Sequence, residues 1–136
     1  MPTAPAGTLY RGREGMWSWV AHRVTGVLIF FFLLVHVLDT SLVRVSPETY
    51  NAVIGTYKNP IMGLGEAGLV AAITFHAFNG LRLVLVELGF AVGKPNEPIY
   101  PYKTSVGVQR PLLIVMMALA LILLAVGGYN FLGLAK

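Results

Sequence analysis

The sequence predicts an all-α integral membrane protein with three transmembrane helices. Three observations predict it. Of 136 residues, 56% are hydrophobic and only 12% are charged, against about 25% charged in an ordinary soluble domain. Three stretches reach the roughly 20 mostly apolar residues that a spanning helix needs. Breaker-rich segments separate those stretches. A chain this short cannot hide so much apolar surface from water, because small domains bury a low fraction of their area. A lipid solvent removes that difficulty.

The first span runs from about Trp17 to Val43, and its centre, Val27 to Val35, holds no polar side chain. The next segment, 44–60, contains Pro47, Asn51, Gly55, Asn59 and Pro60, and Ser46, Pro47 and Glu48 there suit the opening of a short surface helix. The second span runs from about Ile61 to Phe90 and is interrupted by His76, Asn79 and Arg82. A second linker, 93–110, carries Pro95, Asn96, Pro98 and Pro101. The third span runs from about Pro111 to Leu132, with proline placed where a first helical turn tolerates it. Residues 1–16 form an N-terminal segment and residues 17–136 one membrane domain. No internal repeat is visible.

Composition excludes several functions. Without cysteine there is no disulfide, thiolate metal site or cysteine nucleophile. The net charge of +4 comes from basic residues at span ends, with no basic cluster interleaved with aromatics, so nucleic acid is not a partner. Residues Met1 to Tyr10 lack the layout of a cleavable signal or transit peptide, which points to a bacterial cytoplasmic membrane. Lys and Arg set orientation there. Arg11, Arg13, Arg23, Lys94, Lys103 and Arg110 fall on one side, against Arg44, Lys58 and Lys136 on the other. The N-terminus and second linker are therefore expected in the cytoplasm.

Ionisable residues inside a span are costly and usually functional. His76 lies near the middle of span two, on a four-residue ridge with Gly68, Ala72 and Gly80. Residues four apart share a helix face, so this histidine stands among tiny neighbours. Two partners fit such a ridge: another helix packed closely, or a flat haem whose iron the imidazole reaches. Arg82 lies about 9 Å further along, placed to pair with haem propionates or to reach the interface. Ser18, His22 and Gly26 repeat the same spacing in span one, with Arg23 alongside. That cluster offers donors and acceptors to a polar ligand head, or forms an interfacial anchor with Trp17 and Trp19. His36 sits beside Asp39, where an imidazole–carboxylate hydrogen bond, or one to a partner helix, is the favoured reading over a second haem.

Two segments carry a family resemblance: His22-Arg23-Val24-Thr25-Gly26, and His76-Ala77-Phe78-Asn79-Gly80-Leu81-Arg82 followed by Glu87-Leu88-Gly89. They resemble the cytochrome b membrane anchor of succinate dehydrogenase, respiratory complex II. In that family an S-x-x-H-R-x-[ST]-G motif opens the first span and H-x-x-x-G-[IL]-R lies in the second. The resemblance covers most of the chain from Trp17 onwards. It implies that His76 is an axial ligand of haem b, with the other ligand from a sister anchor subunit that completes the helix bundle. It implies that Gly80 makes room for the porphyrin, that Arg82 partners a propionate, and that His22 and Arg23 lie near the propionates and the quinone pocket. Arg23, Ser18 and Trp19 are the quinone candidates. FAD and iron–sulfur clusters would belong to a flavoprotein subunit and an iron–sulfur subunit. The chain departs from the motif at Trp19, which occupies the family's serine position while Ser18 lies one residue earlier, a 100° turn away. It also has Leu83 where many relatives carry histidine. The competing readings are a fumarate reductase anchor running the reverse reaction, a small transporter or channel subunit, and an anchor whose quinone site has decayed.

Overall fold

The computed structural model describes residues 14–90 and 106–131, and within them it is helical without strands. Four α-helices follow in order: α1 (Glu14–Ser41), α2 (Pro47–Thr56), α3 (Pro60–Glu87) and α4 (Val106–Phe131), with a 3-10 turn at Leu42–Arg44 after α1. Three of them, α1, α3 and α4, are long and apolar enough to cross a membrane. The 28 residues of α1 extend about 42 Å, more than the ~30 Å hydrocarbon core. Their many β-branched residues and glycines are weak helix formers in water. In lipid the helix prevails because every backbone N–H and C=O must find a partner within its own segment.

Local chemistry sets the ends. The anticipated surface helix is present as α2. Ser46 caps it by accepting a hydrogen bond from the Thr49 N–H at 3.0 Å, with Pro47 in the first helical position. Asn59 does the same for α3, accepting from the Met62 N–H at 3.0 Å ahead of Pro60. Both are the pattern of a polar cap followed by a proline that has no N–H to leave unsatisfied. The other end of α3 closes at Glu87, three residues before the expected limit. There the Phe90 N–H bonds the Leu85 carbonyl and the Gly89 N–H bonds the Val86 carbonyl, each at 3.0 Å. Gly89 takes φ +88°, the left-handed conformation that this Schellman closure requires and that glycine adopts without a Cβ clash.

Two boundaries differ from expectation at the start of a span. Helix α1 begins at Glu14, ahead of Trp17. Helix α4 begins at Val106, so Pro111 lies inside it instead of opening it. The proline removes the one amide that would bond the Gly107 carbonyl. The turn preceding it is useful all the same, because it carries Arg110, whose Nε donates to the Glu14 carboxylate of α1. The starts of α1 and α4 therefore meet at one end, as three crossings demand. The expected N-terminal segment through Arg13, most of the second linker with Lys94 and Lys103, and Lys136 lie outside the described residues.

Helix α3 occupies the middle, packed against both α1 and α4. On α4 the buried apolar positions are Leu113, Met116 and Ala120, one stripe at helical spacing. Most other large apolar side chains are exposed, with Phe31 at 59% and Leu121 at 67%. An aqueous protein would not leave such a surface open. Lipid and neighbouring chains are the solvents it suits.

Candidate functional site

The interior of the helix group is polar where α1 crosses α3. Ser18, Thr74, Asn79 and Arg82 are buried, Asn79 completely and Arg82 at 7% exposure. At the crossing, the rings of His22 and His76 stack face to face, 3.9 Å between centroids and 8° from parallel. Glycines opposite each ring permit it. A Cβ on Gly26 would lie 3.0 Å from His76 Cε1, and one on Gly80 would lie 3.5 Å from His22 Cε1. Each histidine thus lies over a glycine of the other helix. The four-residue ridges seen in the sequence, Ser18–His22–Gly26 and His76–Gly80, turn out to face each other.

The hydrogen bonds of His76 decide its tautomer. Its Nδ1 is 3.0 Å from the backbone carbonyl oxygen of His22 and 3.1 Å from Thr25 Oγ1. A carbonyl oxygen has no proton to give, so Nδ1 carries the hydrogen and donates it. The Thr25 hydroxyl spends its own proton on the Ala21 carbonyl at 2.8 Å or the His22 carbonyl at 3.0 Å, and so accepts from Nδ1. The proton sits on Nδ1, so in the neutral imidazole the lone pair is on Nε2. Among the described residues no hydrogen bond to Nε2 is present.

His22 Nδ1 is buried and has no hydrogen-bond partner among the described residues. A buried polar atom left without a partner is uncommon and calls for an occupant. On α3, Arg82 Nε donates to Asn79 Oδ1 at 3.1 Å, one turn away. Burial of a guanidinium beside a neutral amide leaves its charge without a carboxylate among these contacts, an arrangement that favours an anionic group from elsewhere.

The quinone candidates divide between two faces of α1. Ser18 is buried, and its hydroxyl donates to the Gly15 carbonyl at 3.0 Å. Trp19 and Arg23, four apart, are exposed together. The Arg23 guanidinium lies over the Trp19 ring, 3.9 Å from its centroid, a cation–π contact. A shallow apolar cleft of 290 Å³ adjoins them, lined by Arg23, Val24, Val27 and Leu28.

Towards the other end a cavity of 1180 Å³ opens between the helices, lined in part by Leu28, His36, Asp39, Tyr57, Gly68 and Ala72. The small residues one and two turns before His76 therefore border open space. Of the two partners expected for His36, Asp39 is not hydrogen-bonded to it among the described residues. Asp39 instead accepts a hydrogen bond from the Tyr57 hydroxyl at 2.8 Å, while His36 stacks on Phe32 with centroids 5.4 Å apart. Residues three apart on a helix do share a face, but the His36 ring is turned onto Phe32 and the Asp39 carboxylate towards Tyr57.

Sequence reasoning missed Thr25 and Gly26 as contacts of His76. The signal was available, since both sit in the His22–Gly26 segment at positions that face α3 once His22 does.

Three membrane-length helices with polar groups concentrated at one helix crossing define a multi-pass membrane subunit built around an interior polar site. The family described as succinate dehydrogenase/fumarate reductase transmembrane subunit matches residues 1–127, and the chain belongs to it as a membrane anchor subunit. It is 65% identical over 83 residues to the succinate dehydrogenase 2 membrane subunit SdhC of Mycobacterium tuberculosis, covering 61% of each chain. The aligned part thus spans less than two thirds of that relative's length. It is 34% identical over 95 residues to the succinate dehydrogenase hydrophobic membrane anchor subunit of Halobacterium salinarum, covering 69% of this chain and 73% of the other. The corresponding anchor subunit of Archaeoglobus fulgidus is 29% identical over 77 residues.

Proposed function

We propose that this chain is the cytochrome b anchor of a bacterial succinate dehydrogenase, holding haem b jointly with a second anchor subunit and helping to form the site where quinone is reduced. The observation that carries the reading is the pair of oxygen acceptors at His76 Nδ1. With Nδ1 committed to the His22 carbonyl and Thr25, Nε2 presents a lone pair, the form in which a histidine binds a metal, oriented by its outer hydrogen bonds. Among the described residues no cluster of three or more His, Cys, Asp or Glu side chains could hold a bare ion. A single imidazole would suit iron whose other ligands came mainly from a porphyrin.

With its ring stacked on that of His76, His22 is not placed to hold the same iron, so a further protein ligand would come from another subunit. His22 is assigned instead to the polar edge of the pocket, where its buried Nδ1 meets a propionate or another polar ligand group. Arg82, buried with the neutral Asn79 amide as its hydrogen-bond partner among the described residues, would supply positive charge for a propionate. Haem, when bound, supplies a one-electron redox centre.

Quinone reduction requires hydrogen bonds and positive charge at carbonyl oxygens that become anionic, and a preorganised cation stabilises that charge. Arg23 has that role. Its guanidinium is held over Trp19, which limits its freedom, and the adjoining cleft of Val24, Val27 and Leu28 offers an apolar wall. Trp19, placed where the family motif has serine, contributes its ring as a platform for Arg23. Ser18 is turned inward with its proton spent on Gly15, so any contact it makes with quinone is through its oxygen as an acceptor. Iron–sulfur and flavin groups on partner subunits would supply the electrons, with the N-terminal end of α1 facing the cytoplasm.

Replacing His76 with Ala in the assembled complex tests the reading. The expected result is loss of the b-type haem band in the reduced-minus-oxidised spectrum, with the subunits still co-purifying. A variant with undiminished haem absorbance overturns the assignment. The same geometry serves fumarate reduction, and assays of one purified complex in both directions with a matched quinone separate the two.

A further inference from the structure

We infer that Thr25 is a positioning residue for the haem ligand: its hydroxyl shares the Nδ1 proton of His76 and so tunes the redox equilibrium of the iron that Nε2 binds. The inference rests on His76 being that ligand, and it goes beyond it by assigning the electronic control of the site to a residue on another helix, 51 positions away.

Two acceptors converge on one N–H. The His22 carbonyl, at 3.0 Å from Nδ1, belongs to the backbone and is present whatever side chain occupies position 25. Thr25 Oγ1, at 3.1 Å, is the only variable member. Its acceptor role is enforced by its own geometry. The hydroxyl reaches the Ala21 carbonyl at 2.8 Å and the His22 carbonyl at 3.0 Å, so its single proton is directed into the α1 backbone and its lone pair towards α3. Back-bonding of this kind also fixes the threonine rotamer. The ring itself is confined on both sides. Gly26 lies beneath Cε1 and His22 covers one face. The imidazole cannot rotate away from Thr25 without meeting α1 backbone or the neighbouring ring.

The electronic consequence is general. A hydrogen bond accepted from the distal N–H of a metal-bound imidazole makes the ligand more basic. A more basic ligand favours the ferric over the ferrous state, because the higher charge gains more from donated electron density. Removing one of two acceptors should raise the midpoint potential. The expected change is less than tenfold in the one-electron redox equilibrium, hence under about 59 mV, since the carbonyl bond persists.

The test uses the intact complex carrying Thr25→Val, which removes the hydroxyl at nearly constant volume, and Thr25→Ser, which restores it. Haem content, the potentiometric midpoint and the low-spin ferric electron paramagnetic resonance spectrum are read for both. The expected result is haem at wild-type stoichiometry in Thr25→Val, with a raised midpoint and shifted g values, and a return to wild-type values in Thr25→Ser. Loss of haem in the valine variant with retention in the serine variant also supports the hydroxyl's role. An unchanged midpoint and spectrum in Thr25→Val overturns it, as does equal disturbance in both variants, which would assign the effect to side-chain packing at position 25 and not to the hydroxyl. Failure of the underlying reading looks different: haem would then survive His76→Ala.

Discussion

The two stacked histidines illustrate how much a single missing Cβ decides. At Gly26 an added methyl meets His76 Cε1 at 3.0 Å, closer than a carbon pair at rest, so the ring must shift. At Gly80 the corresponding contact with His22 is 3.5 Å, ordinary van der Waals distance. The two glycines look equivalent in sequence, each four residues from a histidine, and they are not equivalent in space. Gly26→Ala should therefore lower haem retention in the purified complex more than Gly80→Ala. The expected loss for Gly26→Ala is roughly tenfold in apparent haem affinity, the scale on which outer hydrogen-bonding partners of a metal ligand matter. A haem-to-protein titration of the two variants checks the order, and the reverse order would mean that the ring at position 76 is not seated against α1 in the complex.

At the scale of elements, the connection after α1 is held by one bond between helices that the membrane would otherwise leave independent. The Tyr57 hydroxyl, just past the end of α2, donates to Asp39 Oδ2 of α1 at 2.8 Å. That bond, followed by desolvation and the nearby negative charge, raises the Tyr57 pKa above its ordinary value of 10.0. The sign follows directly. Folding favours the protonated phenol, so the bond's contribution is complete at any pH below the unfolded value and is lost as pH rises through the raised value. Hydrogen exchange in α2 should stay constant from neutral pH to about 10 after correction for the intrinsic rate, then increase. In Tyr57→Phe the exchange should already be faster at neutral pH and show no further step. Equal exchange in the two proteins at neutral pH would show that α2 is held by its caps alone.

For the whole molecule, the exposed surface is the main fact. Among the described residues apolar side chains cover the outside, while the few buried ones include the polar Ser18, Thr74, Asn79 and Arg82 beside three apolar residues of α4, unlike a water-soluble core. Helices in lipid gain little from apolar burial against each other, so the polar crossing of α1 and α3 carries specificity. With the starts of α1 and α4 joined through Glu14 and Arg110, α2 and the 3-10 turn lie at the opposite end. Because the chain has no cysteine, a single Thr56→Cys gives one addressable thiol. A membrane-impermeant maleimide should label it in intact cells if the first linker faces outward. Labelling only after membrane rupture would reverse the assigned orientation.

Fold class, the three crossings, the surface helix with its Ser46 cap, and membership of an anchor family were legible from residues alone. Hydropathy acts over 20 residues at a time, and capping acts over three or four, so neither needs tertiary information. Spacing by four also placed His76 on a ridge of small residues, and His22 on a second. What it could not do was bring the two ridges together, because sequence period defines a face without naming its neighbour. Only the crossing of α1 on α3 set one ring on the other and joined Thr25 and the His22 carbonyl to one imidazole nitrogen, and only the return of the first linker sent Tyr57 to Asp39. Those contacts link residues 18 to 54 positions apart. Their geometry depends on how two rigid cylinders pack, and a helical repeat carries no record of that angle.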